Sequence, residues 1–178
     1  MRKTLLVLGL AGMFGTSVLA QAENAWSAQN CDLYAGDFNG DGVSDLLYIA
    51  HDPSHLSGIA LSDGEGFNIA LQSWGNAYLG IPWSSGDYNI VVADFDGDGR
   101  DDLFLQRRSA GDHFLLLTED GGIGGISQTI PQDAMGLAWS ADAHRIVAGD
   151  FNGDLQADLF LQPTDAAGLS AVVLADAN

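Results

Sequence analysis

Three acidic segments hold the residues best suited to chemistry. They read Asp37-Phe38-Asn39-Gly40-Asp41-Gly42-Val43-Ser44-Asp45, Asp94-Phe95-Asp96-Gly97-Asp98-Gly99-Arg100-Asp101-Asp102 and Asp150-Phe151-Asn152-Gly153-Asp154-Leu155-Gln156-Ala157-Asp158. Oxygen-bearing side chains recur at positions 1, 3, 5 and 9 of each. A hard cation such as Ca2+ takes roughly six to eight oxygens at about 2.3–2.6 Å. Alternate positions of a tightly turned loop aim several carboxylates at one point. The main-chain carbonyl at position 7 can add a ligand, and glycine allows the positive φ that such a turn needs. Four carboxylates packed this closely without a cation would repel one another strongly. An EF-hand is excluded, because it needs flanking helices and a bidentate Glu at position 12. Position 12 here is Tyr48, Leu105 or Leu161.

The elements that must position these loops form a repeat. Trp26, Trp83 and Trp139, each followed by Ser, stand 57 and 56 residues apart, and an acidic segment begins 11 residues after each. Apolar and β-branched runs flank every loop: Leu33–Ala35 and Leu46–Ile49, Ile90–Val92 and Leu103–Leu105, Ile146–Ala148 and Leu159–Leu161. Third strands are expected at Gly58–Leu61, Phe114–Thr118 and Ala171–Leu174, and fourth strands at Phe67–Leu71 and Ile126–Ile130. Gly64-Glu65-Gly66 and Gly121-Gly122 supply turns. The fold class expected is all-β: tandem four-stranded antiparallel blades of β-propeller type, about three repeats, in an incomplete, open propeller. The units run over about 26–82, 83–138 and 139–178, the last truncated before its fourth strand. Three blades are too few to close a ring, so a homo-oligomer or a strand-donating partner at Ala171–Leu174 is expected.

The first 22 residues read as an address. Met1-Arg2-Lys3 is basic, Thr4–Val18 is apolar and small, and Ala20-Gln21-Ala22 suits a signal peptidase. The expectation is a secretory signal peptide over 1–22 and a repeat domain over 23–178, secreted or periplasmic, with no membrane association after cleavage. The whole chain has 6 Lys+Arg against 24 Asp+Glu, a net charge of −18, and 47% hydrophobic residues. Removing the leader takes away Arg2 and Lys3 and no acid. Such a surface repels nucleic acid and anionic lipid. One Cys permits no internal disulfide.

The D-F-[ND]-G-D-G-x-x-D-L motif, on this period and behind a secretory leader, resembles the FG-GAP or VCBS repeat of integrin α-subunit propellers. The resemblance implies about three structural Ca2+ ions, each held in the hairpin between strands 1 and 2 of a blade. The matching ligands are Asp37, Asn39, Asp41, the Val43 carbonyl and Asp45; Asp94, Asp96, Asp98, the Arg100 carbonyl and Asp102; and Asp150, Asn152, Asp154, the Gln156 carbonyl and Asp158. The third loop departs from the pattern, with Leu155 where the others have Gly42 and Gly99. The family also implies partners on the opposite face, at His51–Ser57, Trp74–Asp87, Arg107–Asp112 and Pro131–His144. The function implied is a non-catalytic module that binds a protein or glycan. The alternative is a fragment or accessory domain of a larger propeller enzyme, polysaccharide lyase-like, or of a toxin.

Other features carry blander readings. His51 and His55 fall in a turn with Pro53 and have no third zinc ligand. Gly121–Gly125 precedes no helix and is read as a hairpin. The three repeated tryptophans suit packing between blades. Trp74 and Tyr78 have Ile130 and Ala134 as counterparts in the next unit, and non-repeated aromatics on a rim could stack on a sugar ring. They are the candidate ligand-binding pair, against a plain packing role.

Overall fold

Short runs of alternating side chains, punctuated by Gly, Asp and Pro, form eleven antiparallel strands among the described residues. The computed structural model describes residues 27–64, 66–84, 86–120 and 122–175. The expected leader and Trp26 lie outside the described residues. Blade one comprises β1 (Cys31–Gly36), β2 (Asp45–Ala50), β3 (Ser57–Ser62) and β4 (Phe67–Trp74). Blade two comprises β5 (Tyr88–Ala93), β6 (Asp102–Arg107), β7 (His113–Glu119) and β8 (Gly122–Ile130). Blade three comprises β9 (His144–Gly149), β10 (Asp158–Pro163) and β11 (Ala171–Val173). Each is a meander in chain order. The sheets stand side by side with like strands adjacent, β1 against β5, β5 against β9 and β4 against β8. This is the blade arrangement expected, with open rather than closed sheets.

The strand period of two decides which face each residue serves. On β6, Leu103 and Leu105 enter the core between blades one and two. The intervening Phe104 enters the core between blades two and three. The middle blade is covered on both faces, so Asp102 through Gln106 are all buried. Two fourth strands are longer than expected. β4 runs on to Trp74, and β8 starts at Gly122, so most of the Gly121–Gly125 stretch is strand rather than hairpin loop.

After each fourth strand the chain makes the same device twice. Short 3-10 turns at Tyr78–Gly80 and Ala134–Gly136 place Leu79 and Met135 at φ +57°. The indole N–H of Trp83 donates to Tyr78 O at 2.9 Å, and that of Trp139 to Ala134 O at 3.0 Å. Both tryptophans are buried between blades, the role their repetition suggested.

Candidate metal-binding loops

Each acidic segment joins the first two strands of its blade and closes on its own backbone amides. The position-1 carboxylate organises the turn. Asp37 accepts from the N–H of Gly40 at 2.8 Å and Gly42 at 2.7 Å. Asp94 accepts from Gly97 at 2.6 Å and Gly99 at 2.9 Å. Asp150 accepts from Gly153 at 2.6 Å and Leu155 at 3.0 Å. Those amides can converge only because positions 4 and 6 are left-handed. Gly97 and Gly99 lie at φ +77° and +88°, and Gly153 and Leu155 at +85° and +72°. The third loop therefore keeps the shared backbone despite its leucine.

The position-9 aspartates do something the spacing alone did not reveal. Asp45, Asp102 and Asp158 are buried. One oxygen of each takes the position-2 N–H: Phe38 at 3.1 Å, Phe95 at 3.0 Å and Phe151 at 2.9 Å. The other takes an N–H from the third strand or just beyond it, at Ser62, Thr118 or Ala175, each at 2.8 Å. These side chains staple loop to sheet. Each carboxylate oxygen has a second lone pair, so the staple does not preclude coordination.

In the second loop, carboxylate oxygens of Asp94, Asp96 and Asp102 lie within 4.8 Å of one another. Burial pushes Asp102 up to about 6, against the amides of Thr118 and Phe95, which lower it. Burial also raises Asp96, with the charges of Asp98 and Asp94 adding to the effect. Converging oxygen donors whose ionised forms are disfavoured without a countercharge fit a hard divalent cation. Asp98 is engaged elsewhere. It pairs with the Arg100 guanidinium, which also reaches Asp120 at 3.1 Å. In the first and third loops the corresponding Asp41 and Asp154 instead accept from the amides of Asn39 at 3.0 Å and Asn152 at 2.9 Å. Val43, Arg100 and Gln156 each donate their backbone N–H to the position-5 aspartate, at 2.8, 2.8 and 2.9 Å.

Adjacent loops also touch. Asp101 N donates to Asp37 O at 2.7 Å, and Ala157 N to Asp94 O at 2.7 Å. Asp101 adds a second bond by accepting from Asp37 N at 2.8 Å. Sequence reasoning passed over Asp101. Its signal was the Asp101-Asp102 pair, where the other loops have Ser44 and Ala157 before the final aspartate.

The pair proposed for sugar stacking is placed differently. Trp74 is 4% exposed, on β4 rather than on a rim. Its ring lies 4.9 Å from Trp83 and 5.6 Å from Tyr78, so it offers no face to a ligand. Tyr78 is half-buried; its hydroxyl donates to Ile123 O at 3.1 Å and accepts from Gln72 at 2.9 Å. It ties blade one to β8. Both are packing residues, and the aromatic difference between repeats reflects two different inter-blade cores.

A family described as FG-GAP-like repeat matches residues 37–105 and 94–161, which together cover more than half of the chain. Among solved structures, a lectin of Agrocybe aegerita, described for its specific recognition of non-reducing terminal N-acetylglucosamine, aligns with a TM-score of 0.59 at 24% identity. That alignment covers 84% of this chain and 36% of the lectin, so the chain spans about a third of that structure. No curated protein matches the chain.

Proposed function

The chain belongs to the FG-GAP-like repeat family, and we propose that it is a secreted, non-catalytic binding module whose blades are fixed by calcium and whose ligand is a saccharide. The observation that carries the calcium reading is the convergence of Asp94, Asp96 and Asp102 within 4.8 Å in a loop that two further segments copy. The family pattern would add Asp98 and the Arg100 carbonyl as further ligands, Asp98 by exchanging its Arg100 partner for the cation. Calcium here has a structural role. It offsets the repulsion among the loop carboxylates and locks the first hairpin of each blade. The saccharide reading is supported by the shared fold of the lectin, and secretion by the leader-like first 22 residues.

Binding to the folded chain alone stabilises it by mass action, by about 2.7 kcal/mol for each site saturated a hundredfold. The thermal midpoint of the full chain should therefore fall sharply on chelation with EDTA and recover with Ca2+. Mg2+ should restore it poorly, since it prefers a smaller octahedral shell. A midpoint indifferent to EDTA would remove the calcium reading. A glycan array probed with and without Ca2+ tests the rest, with signals expected only in calcium.

A further inference from the structure

Blade three presents, on the face turned away from blade two, the same groups with which blades one and two hold their successors. The position-2 phenylalanine shows it first. Phe38 is 0% exposed and Phe95 is 6% exposed, each packed at the junction with the next blade, whereas Phe151 is 51% exposed. Gln106 on β6 donates from Nε2 to Trp139 O at 3.0 Å and His144 O at 2.7 Å, both in the connection and first strand of the next blade. Gln162 holds the same place on β10 and is exposed. The position-4 glycines repeat the pattern. A Cβ on Gly40 would meet the Arg100 side chain at 3.2 Å, and one on Gly97 would meet Gln156 at 3.1 Å, but nothing lies within 4 Å of Gly153. Asp37 O and Asp94 O accept an amide from the following loop; Asp150 O is their equivalent.

Blade one carries the complementary set. Ile90 and Ile146 pack towards the preceding blade, and their counterpart Leu33 is 42% exposed. Val43, the counterpart of Arg100 and Gln156, is also exposed. Ser44 occupies the place from which Asp101 and Ala157 donate their amides. Among the described residues no sheet covers either face.

We propose that these two faces meet between copies, with blade three of one chain docking head to tail against blade one of a second. Both halves of the interface reside on one chain, and the blade two–blade three junction is its template. Val43 would settle over Gly153, the Ser44 amide would reach Asp150 O, and Gln162 would donate at the start of β1, where Cys31 is the counterpart of His144. A head-to-tail contact closes into a ring or runs on as a filament. Two copies bring six sheets, within the four to eight blades of closed propellers.

Light scattering coupled to size exclusion on the calcium-loaded full chain should give twice the protomer mass at micromolar concentration. Phe151→Asp and Leu33→Asp should each weaken dimerisation by about a hundredfold or more, the loss expected of a central apolar anchor. Both side chains are exposed in the single chain, so circular dichroism should not change; Gln162→Glu replaces Phe151→Asp, and Leu33→Gln replaces Leu33→Asp, should either fold poorly. Mixing the two variants is decisive. Each retains the face the other has lost, so the mixture should recover a heterodimer through one intact junction. A monodisperse monomer of the unmodified chain overturns the proposal. So does a dimer insensitive to both variants, or one sensitive to a single variant and not rescued by mixing.

Discussion

The second and third acidic loops have the same hydrogen-bonded skeleton and different electrostatics. Both fold around a position-1 aspartate and are stapled by a buried position-9 aspartate. The second gathers Asp94, Asp96, Asp98 and Asp102 and answers them with Arg100. The third replaces one carboxylate with Asn152, has no arginine, and bends through Leu155 instead of glycine. There, the amides of Leu155 and Gly153 hold Asp150 below the usual carboxylate range. In the second, burial holds Asp96 above that range. The loop's shape is therefore set by aspartate-to-amide bonds, while the charge it collects varies freely from blade to blade.

The largest expected effect separates stapling from coordination. Asp102→Ala leaves the buried amides of Phe95 and Thr118 without acceptors, and each such orphan costs about 1–3 kcal/mol. A loss of about 3 kcal/mol is expected in urea denaturation, and most of it should persist in EDTA. Asp158→Ala should cost less, because both bonds it makes are only partly buried. If the Asp102→Ala loss vanishes once calcium is chelated, the residue is a ligand and not a staple.

Arg100 makes the second loop its own counter-ion. Its guanidinium holds Asp98 and Asp120, and its stem covers Gly40 of the first loop. A cation entering the loop must share Asp98 with it. Arg100→Gln, which keeps a long side chain over Gly40, should tighten calcium at one site by roughly fivefold, about 1 kcal/mol at an exposed pair. Calorimetry on wild type and variant reads this directly. Unchanged or weaker binding would mean that Arg100 positions the loop more than it competes for it.

Much of this was legible because repetition is a stronger signal than any single motif. The Trp register and the acidic spacing fixed the number of blades and the first two strands of each. Leu103-Phe104-Leu105 carried no alternation, because a blade covered on both faces has none to show. The expected strand stops at Leu71 because polar Gln72 and Ser73 end the apolar run, although β4 continues to Trp74. Trp74 and Tyr78 misled because a difference between repeats looks the same in sequence whether it serves a ligand or a core. The position-9 staple was invisible for another reason: its amide partner, on the third strand or just beyond it, lies 16 or 17 residues away. No local pattern marks a bond that only the sheet brings together.

The smallest effect tests the leucine that the third loop holds where its neighbours have glycine. Leu155 sits at φ +72° and is 81% exposed, so it bears the left-handed penalty and gains little packing in return. That penalty is about 1 kcal/mol for an ordinary residue, and glycine removes it. Glycine also adds roughly 0.5–1 kcal/mol of freedom to the unfolded chain, which offsets part of the gain. Leu155→Gly should therefore stabilise the metal-free chain by only a few tenths of a kcal/mol. Calcium affinity at the third site should rise modestly, because the Asp150 ring of amides no longer closes against strain. Leu155→Asn, which tolerates the left-handed region without freeing the unfolded chain as much, should do at least as well. Chemical denaturation of both variants in EDTA, followed by calcium titration, separates the two contributions. Destabilisation by both would show that the leucine makes a contact worth more than its backbone cost.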